Sequence, residues 1–360
     1  MSFVNSLQTA LSDTALTFRA PTWDVEAALR ELEEQQAKDP SKRNKVAVLT
    51  GGSAGIGTEI LKGLARGCER VYIFGRSPSR NQAAIDALPT AEQRARCQSI
   101  ECDLSSLASI RQSAGLFFDA EKSRQGGGSV HIDVFVGNAG LMNYDTKQKT
   151  KDGWESMWGT NALGHHALIH HLLPAFAARP SSAEPPRIVL LSSGAHAAIY
   201  SAESNFYPLK DRLASDLGKG SFALYGRSKA ANILDQKGWE RYFTEEAAST
   251  SSSSPKPIIV SVHPGAIRSE LGRSYEPYRL LRYARITMHR LICWPAAPYG
   301  STNTLWAAMF ATRAEVDGKY VQPWCDTRVE PTLLCKDERL AREHWHFMEE
   351  LVKAEQAGAS

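Results

Sequence analysis

Tyr225 and Lys229 stand four residues apart in the stretch LYGRSKAAN. On a helix this spacing puts the phenol and the ammonium on one face. A phenol titrates near about 10 and is a poor acid or base at neutrality. A neighbouring ammonium favours the phenolate and makes proton exchange with a substrate oxygen feasible. Lys229 has a second use as a donor to a nicotinamide ribose. A Tyr-x-x-x-Lys match arises easily by chance in a chain of 360 residues, so a surface pair is the default reading unless other parts of a site accompany it.

A second feature is the loop TGGSAGIG from Thr50 to Gly57, with Gly51, Gly55 and Gly57 as its key glycines. Small residues let a backbone approach a pyrophosphate, and a helix N-terminus adds amide donors and a favourable dipole. The same turn without a ligand is the bland alternative, and the strand before it and helix after it favour a nucleotide. Further on, Ile73-Phe74-Gly75-Arg76-Ser77 carries no acid where NAD-binding sheets place one to hold the ribose hydroxyls. Arg76 suits a 2′-phosphate instead, with Ser77 and the loop residue Ser53 as additional donors, so NADP(H) is expected. Otherwise Arg76 is a solvated surface residue. Asp103, in Cys102-Asp103-Leu104, is expected near the adenine edge.

These residues need a scaffold. Apolar runs at Val46 to Leu49, Val71 to Phe74, Gln98 to Glu101, Ile132 to Val136, Ile188 to Leu191 and Ile258 to Val262 read as buried strands, with helix-like segments between them, the first from Thr58 to Arg66. Alternation of this kind predicts a parallel sheet covered on both faces, in one continuous domain. Ahead of it, Thr22 or Asp24 caps a predicted helix through Val25, Ala28, Leu29 and Leu32. Gln125 to Ser129 and the serine-rich Ser249 to Pro257 read as surface insertions, the second as a mobile one.

With those motifs in order, the chain resembles the short-chain dehydrogenase/reductase family from about Lys45 to Val321. TGGSAGIG matches the family's cofactor loop, Asn138-Ala139-Gly140 its NAG motif, and Asn161 in TNALGHH its helix asparagine. Ser193 in IVLLSSGAH, Tyr225, Lys229 and the His263-Pro264-Gly265 turn match in sequence order. The resemblance implies a Rossmann fold of about seven parallel strands. It implies that Ser193 orients the substrate oxygen, Tyr225 passes the proton, Lys229 lowers the tyrosine pKa and binds ribose, and Asn161 positions a water for the relay. The same resemblance brings Ile56, Leu104, Pro264, Gly265, Ile267 and Ser269 into the cofactor site. Ser192 is the twin that packs or hydrogen-bonds locally. The segment from Ser193 to Tyr225 is longer than in compact members. It and the stretches YGRSKAANIL and DGKYVQPW look most like fungal retinol-dehydrogenase-like relatives, which often serve secondary-metabolite pathways. The resemblance divides the chain into an N-terminal helical extension (1–44), a catalytic domain (45–325) whose loop 270–310 closes over substrate, and a C-terminal helical tail (326–360).

The expected activity is interconversion of an alcohol and a ketone or aldehyde on a small, apolar or aromatic molecule. Two other readings stay open: a degenerate NADP(H)-binding regulatory protein, and a methyltransferase, which leaves Ser193, Tyr225 and Lys229 unexplained. The net charge of +3 gives no reason to expect nucleic acid. No run of about 18 apolar residues suggests a spanning helix. Peripheral membrane contact through Tyr278, Leu280, Leu281 and Ile286 stays open, as does a homodimer. There is no secretory signal pattern, and Cys68, Cys97, Cys102, Cys293, Cys325 and Cys335 show neither C-x-x-C nor zinc spacing, so the cytoplasm is expected and no metal is. His166 and His170 in HHALIHH are four apart but lack a local acid, so packing or partner contacts are expected of them. Trp154 and Trp158 are expected to pack rather than to stack on bases.

Overall fold

The computed structural model describes residues 21–125, 128–177, 184–198, 220–249, 254–268 and 293–359. Seven parallel strands form one sheet in the order β3-β2-β1-β4-β5-β6-β7. They are β1 (Val46–Thr50), β2 (Arg70–Gly75), β3 (Cys97–Glu101), β4 (Val134–Gly137), β5 (Arg187–Leu191), β6 (Ile258–Val262) and β7 (Tyr320–Val321). The principal helices are α1 (Val25–Lys38), α2 (Ile56–Gly67), α3 (Pro78–Asp86), α4 (Leu107–Gln125), α5 (Gly164–Ala177), α6 (Ser221–Ser249) and α7 (Glu338–Ala359).

The strands are uniformly apolar because both faces are covered. Val46, Val48, Tyr72, Phe74, Phe135 and Ile188 point to one face, against α4, α5, α6 and α7. Their neighbours Ala47, Leu49, Val71, Ile73, Val134 and Val189 point to the other, against α1, α2 and residues 305–316. Asp24 caps α1, its carboxylate accepting from the backbone of Glu26 and Ala27 at 2.9 and 3.1 Å.

Strand ends differ from the apolar runs by at most two residues, and the offset of β4 and the brevity of β7 have physical reasons. β4 begins at Val134 rather than Ile132. The Asp133 carboxylate accepts the Val46 N–H at 2.6 Å, and the Ile132 N–H donates to the Ala175 carbonyl, so side-chain and helix bonds replace the ladder there. β7 spans two residues and is too short to register as an apolar run. Of the serine-rich stretch, 250–253 lie outside the described residues, while the Ser254 hydroxyl donates to the Ala177 carbonyl at 2.6 Å. Of the glycine-rich insertion, 126–127 lie outside them too.

The histidine cluster is an internal fastening. His166 donates from Nδ1 to Asp235 of α6 at 2.8 Å and from Nε2 to Glu349 of α7 at 3.1 Å, and His170 reaches the same Glu349 oxygen at 2.8 Å. The acids missing from the local sequence come from two other helices. Burial opposes charge on His166, but Asp235 and Glu349 outweigh it and raise its pKa to about 9. Burial likewise opposes ionisation of Glu349, and the two histidines overcome it, holding its pKa below the usual carboxylate range. Trp154 and Trp158 pack edge to face at 5.7 Å, with Phe347 of α7 against both.

Removing one member of a buried charged group leaves its partners uncompensated. Glu349→Ala should therefore lower unfolding free energy by about 3 kcal/mol. The wild-type protein should also lose stability as pH climbs from 6.5 through about 9, because the folded state holds the His166 proton more tightly than the unfolded chain. The variant should lose less over that range. Urea midpoints across pH 6 to 10 check both; an unchanged midpoint in Glu349→Ala would mean that α7 docks without this cluster.

Candidate active site

The strand order reverses between β1 and β4, and the loops after both strands meet there, where open α/β sheets bind ligands. Gly51 has φ +66° and Gly55 φ +57°, a region that side-chain-bearing residues avoid. Gly57 is restricted by space. A Cβ there would lie 2.1 Å from the Gly51 carbonyl oxygen and 2.7 Å from the Asn138 side-chain nitrogen. The Asn138 amide donates to the carbonyls of Thr50 (3.0 Å) and Gly51 (3.1 Å), and the Ala139 N–H donates to the Thr50 hydroxyl (2.9 Å). The NAG segment thus fixes the cradle from below. Ile56 opens α2, and Ser53 is half-buried in the loop. This is a concavity in which side chains have been excluded, and it fits the pyrophosphate of a dinucleotide.

Arg76 is exposed just beyond β2. Ser77 caps α3, accepting from the Arg80 N–H at 3.4 Å and lying 3.1 Å from the Ser79 hydroxyl. Beyond β3, Asp103 accepts from the backbone and hydroxyl of Ser105 and pairs with Lys151 at 2.9 Å. Burial works against its charge, but Lys151 and Ser105 keep its carboxyl below the ordinary range. Lys151 lies far along the chain and no sequence pattern marks it. Leu104 is a core residue whose backbone lies against Gly164, at the start of α5.

On the other side of the switch point, Tyr225 and Lys229 lie one turn apart on α6, with Lys229 Nζ 5.6 Å from the centre of the Tyr225 ring. Both are buried. The ammonium donates to the Leu191 carbonyl at the end of β5 at 2.8 Å, and Asn232 donates to the same oxygen. Burial lowers the Lys229 pKa to about 8. Burial raises Tyr225 to about 12, opposed by a hydrogen bond with Ser193. The Ser193 hydroxyl accepts from the Ala195 N–H at 3.2 Å, and its own hydrogen is directed to the Tyr225 phenol. Ser192 turns inward, donating to the Lys229 carbonyl at 2.8 Å.

Asn161 lies in a π-helical turn (Gly159–Leu163) leading into α5. Its side chain clamps Leu141, accepting from the N–H and donating to the carbonyl at 2.9 Å each way, and it also donates to Ser228. A Cβ on Gly140 would sit 3.5 Å from both Asn161 Oδ1 and Lys229 Nζ, so the two residues share one space. The neutral His165, pushed to about 4 by burial, joins the Asn161 carbonyl to the Thr50 hydroxyl at 2.8 Å each. Thus Asn161 and the glycine loop share one buried histidine strut.

After β6, Pro264 and Gly265 (φ +99°) turn the chain, and Ile267 pairs with Trp294. Asn303 donates to the His263 carbonyl at 2.8 Å and steadies this turn. Ser269 and most of the 270–310 loop, including Tyr278, Leu280, Leu281 and Ile286, lie outside the described residues. So the structure brings Ser193, Tyr225, Lys229 and Asn161 together at one end of the sheet, beside the cradle.

The chain is similar to known proteins of one family. A family model described as short chain dehydrogenase matches residues 45–207. A short-chain dehydrogenase/reductase of Armillaria gallica is 30% identical over 285 residues, 79% of this chain and 83% of that protein. Retinol dehydrogenase 12 of Bos taurus is 30% identical over 308 residues, 86% of each chain. Among solved structures, an uncharacterized protein from Mycobacterium paratuberculosis superposes with a TM-score of 0.59 at 26% identity, covering 86% of this chain and 93% of that one.

Gly57→Ala should crowd the Gly51 carbonyl and weaken nicotinamide dinucleotide binding by at least about tenfold, roughly 1.4 kcal/mol. Quenching of intrinsic tryptophan fluorescence measures this. Wild-type affinity in the variant would place the dinucleotide elsewhere.

Proposed function

The chain belongs to the short-chain dehydrogenase/reductase family, and on that premise we propose that it is an NADP(H)-dependent oxidoreductase interconverting an alcohol and a ketone or aldehyde. One observation carries the reading: a serine hydroxyl, a phenol and a lysine ammonium meet at the end of a sheet beside a glycine cradle. A bound nicotinamide supplies the hydride in reduction and accepts it in oxidation. Ser193 donates a hydrogen bond to the substrate oxygen, and Tyr225 gives that oxygen its proton as negative charge builds there. The Lys229 ammonium favours the phenolate that remains and binds the ribose. Asn161 supports reprotonation by holding the floor beneath Lys229.

The cofactor set is Gly51, Ser53, Gly55, Ile56, Gly57, Arg76, Ser77, Asp103, Leu104, Asn138, Ala139, Gly140, Tyr225, Lys229, Pro264, Gly265, Ile267 and Ser269. NADP(H) rests on Arg76, exposed at the tip of β2 where an acid would select NAD. The substrate is small and apolar. Tyr225 packs with Met157, Ala195 and Leu224, bordered by Leu141 and Met142, which are surfaces that accept hydrocarbon rather than charge. The similarity to fungal members supports a role in secondary-metabolite biosynthesis. We assign the catalytic unit to 45–325, with extensions at 1–44 and 326–360. The six free cysteines support a cytoplasmic setting. No described helix is long and apolar enough to cross a membrane. α7 covers part of α5 and α6, so a homodimer through that part of the surface requires α7 to move.

Tyr225→Phe should reduce turnover of NADPH with a panel of aliphatic, aromatic and polyene carbonyl compounds by more than about a thousandfold while leaving NADPH binding nearly intact. Unchanged turnover, followed at the NADPH absorbance band, would remove the tyrosine from the mechanism. Separately, Arg76→Asp should weaken NADPH by about tenfold or more and spare NADH, because a charge-assisted contact to phosphate becomes a repulsion. Equal losses for the two cofactors in competitive titrations would remove Arg76 as the selector.

A further inference from the structure

Ser193 acts only if its hydroxyl stays aimed at the substrate oxygen, yet it sits on a short loop leading into a single helical turn (Gly194–Ala198). The loop is pinned by the residue three positions on. His196 donates to the Ser193 carbonyl twice, from its backbone N–H at 3.0 Å and from ring Nδ1 at 2.7 Å. Its other ring nitrogen, Nε2, faces the Thr332 N–H at 3.4 Å, in the segment before α7. A backbone N–H can only donate, so Nε2 accepts, and the ring must be the neutral Nδ1–H tautomer. His196 is fully buried, and burial holds its pKa near about 4, in keeping with that tautomer. The ring also meets the Tyr320 ring of β7 edge to face at 5.0 Å, and the Tyr320 hydroxyl lies 3.4 Å from Nδ1. Every polar group of this imidazole is committed, and its anchors reach from the serine loop to β7 and the C-terminal segment.

We propose that His196 is a positioning residue that fixes Ser193 for hydrogen bonding to the substrate and ties that serine to the C-terminal segment through Thr332. The proposal rests on the reading of Ser193 given above. His196 touches neither substrate nor dinucleotide; it acts by removing the freedom of the Ser193 carbonyl, while the Ala195 N–H orients the hydroxyl. With its hydroxyl oxygen occupied by one donor and its carbonyl by two, Ser193 has one rotatable hydrogen, which reaches the Tyr225 phenol here and is the one shared with a substrate oxygen placed beside that phenol. Residues beyond 326 thereby enter the active site's support although none of them is assigned to the reaction.

The test compares Ser193→Ala, His196→Ala, His196→Asn and Thr332→Pro in the full-length protein. The probes are NADPH and the carbonyl compound of the above panel that the wild type reduces fastest. Asparagine can place an amide N–H near the Nδ1 position, and proline suits position 332, where φ is −56°, while deleting the N–H that His196 accepts. Ser193→Ala should lower kcat by about a hundredfold or more, and His196→Ala by about ten- to a hundredfold, as expected when a hydrogen-bond donor is lost or displaced. NADPH affinity should stay within about twofold in both, since neither residue touches the dinucleotide. His196→Asn should recover to within about threefold of the wild type, and Thr332→Pro should fall severalfold in kcat alone. Wild-type kcat in His196→Ala beside an inactive Ser193→Ala would overturn the positioning role and leave the serine's role standing. An asparagine variant no better than the alanine one, with NADPH affinity and melting temperature falling together, would also overturn it, because a general loss of structure moves all three. A fully active Ser193→Ala would remove the premise instead. Should His196→Ala fail to fold, Thr332→Pro decides: unchanged kcat in that variant overturns the proposal.

Discussion

Lys229 carries its ammonium into a buried seam between β5 and α6, and the carboxyl end of the sheet is organised around holding it there. Burial disfavours that charge, and the fall from 10.5 to about 8 corresponds to roughly 3 kcal/mol. At about 8 the ammonium is still charged at neutral pH, and the Leu191 carbonyl, the last of β5, accepts from it at 2.8 Å. That carbonyl is available because β5 ends there and Ser192 turns away to bond the Lys229 carbonyl. The same exchange of bonds fixes the height of α6 on the sheet. Tyr225, one turn earlier, is placed by it.

The two titratable groups of this seam are displaced in opposite senses by one cause. Burial favours the neutral form of each, so the phenol moves up and the ammonium moves down. A phenol held near about 12 keeps its proton until charge appears on a neighbouring oxygen. An ammonium near about 8 is still charged at neutrality and close enough to stabilise the phenolate when it forms. The apolar wall of Met157, Leu224 and Ala195 therefore has an electrostatic effect as well as a packing one. On the proposed mechanism it sets a threshold that only a polarised substrate oxygen crosses, with Ser193 as the donor that lowers it.

Much of this site was legible in the sequence, and the legible parts share a property. The glycine loop, Asn138-Ala139-Gly140 and the Tyr225-Lys229 pair each lie within one short segment whose residue types are demanded by local geometry. Gly57 must lack a side chain because the Gly51 carbonyl occupies its place, and the pattern records that demand directly. What escaped depends on partners far apart in the chain. Lys151 meets Asp103 only because the loop before α5 folds across the end of β3. His166 found its acids on α6 and α7, and their distance along the chain made the cluster look unpartnered. β7 escaped for another reason: two residues suffice to pair with β6 once a covered edge is waiting, and two residues make no periodic signal.

The C-terminal segment packs into the core of the unit it follows. By sequence it is a tail that follows the last strand. In three dimensions Leu334, Cys335, Leu340, Trp345 and Met348 belong to the same core as Val48 and Phe135 of the sheet. Trp239 of α6 is sealed against Trp345 of α7, and the charged His166 cluster lies between α5, α6 and α7. α6 carries Tyr225 and Lys229, and this helix is packed by the sheet on one side and by α7 on the other. A helix bearing a buried lysine cannot shift without exposing the ammonium to water or stripping it of the Leu191 carbonyl, and either change would move its pKa. The docking of α7 thus bears on the ionisation of Lys229 at some distance from it, by fixing the register of α6 against β5. This constraint is mechanical and needs no residue of α7 to approach the substrate.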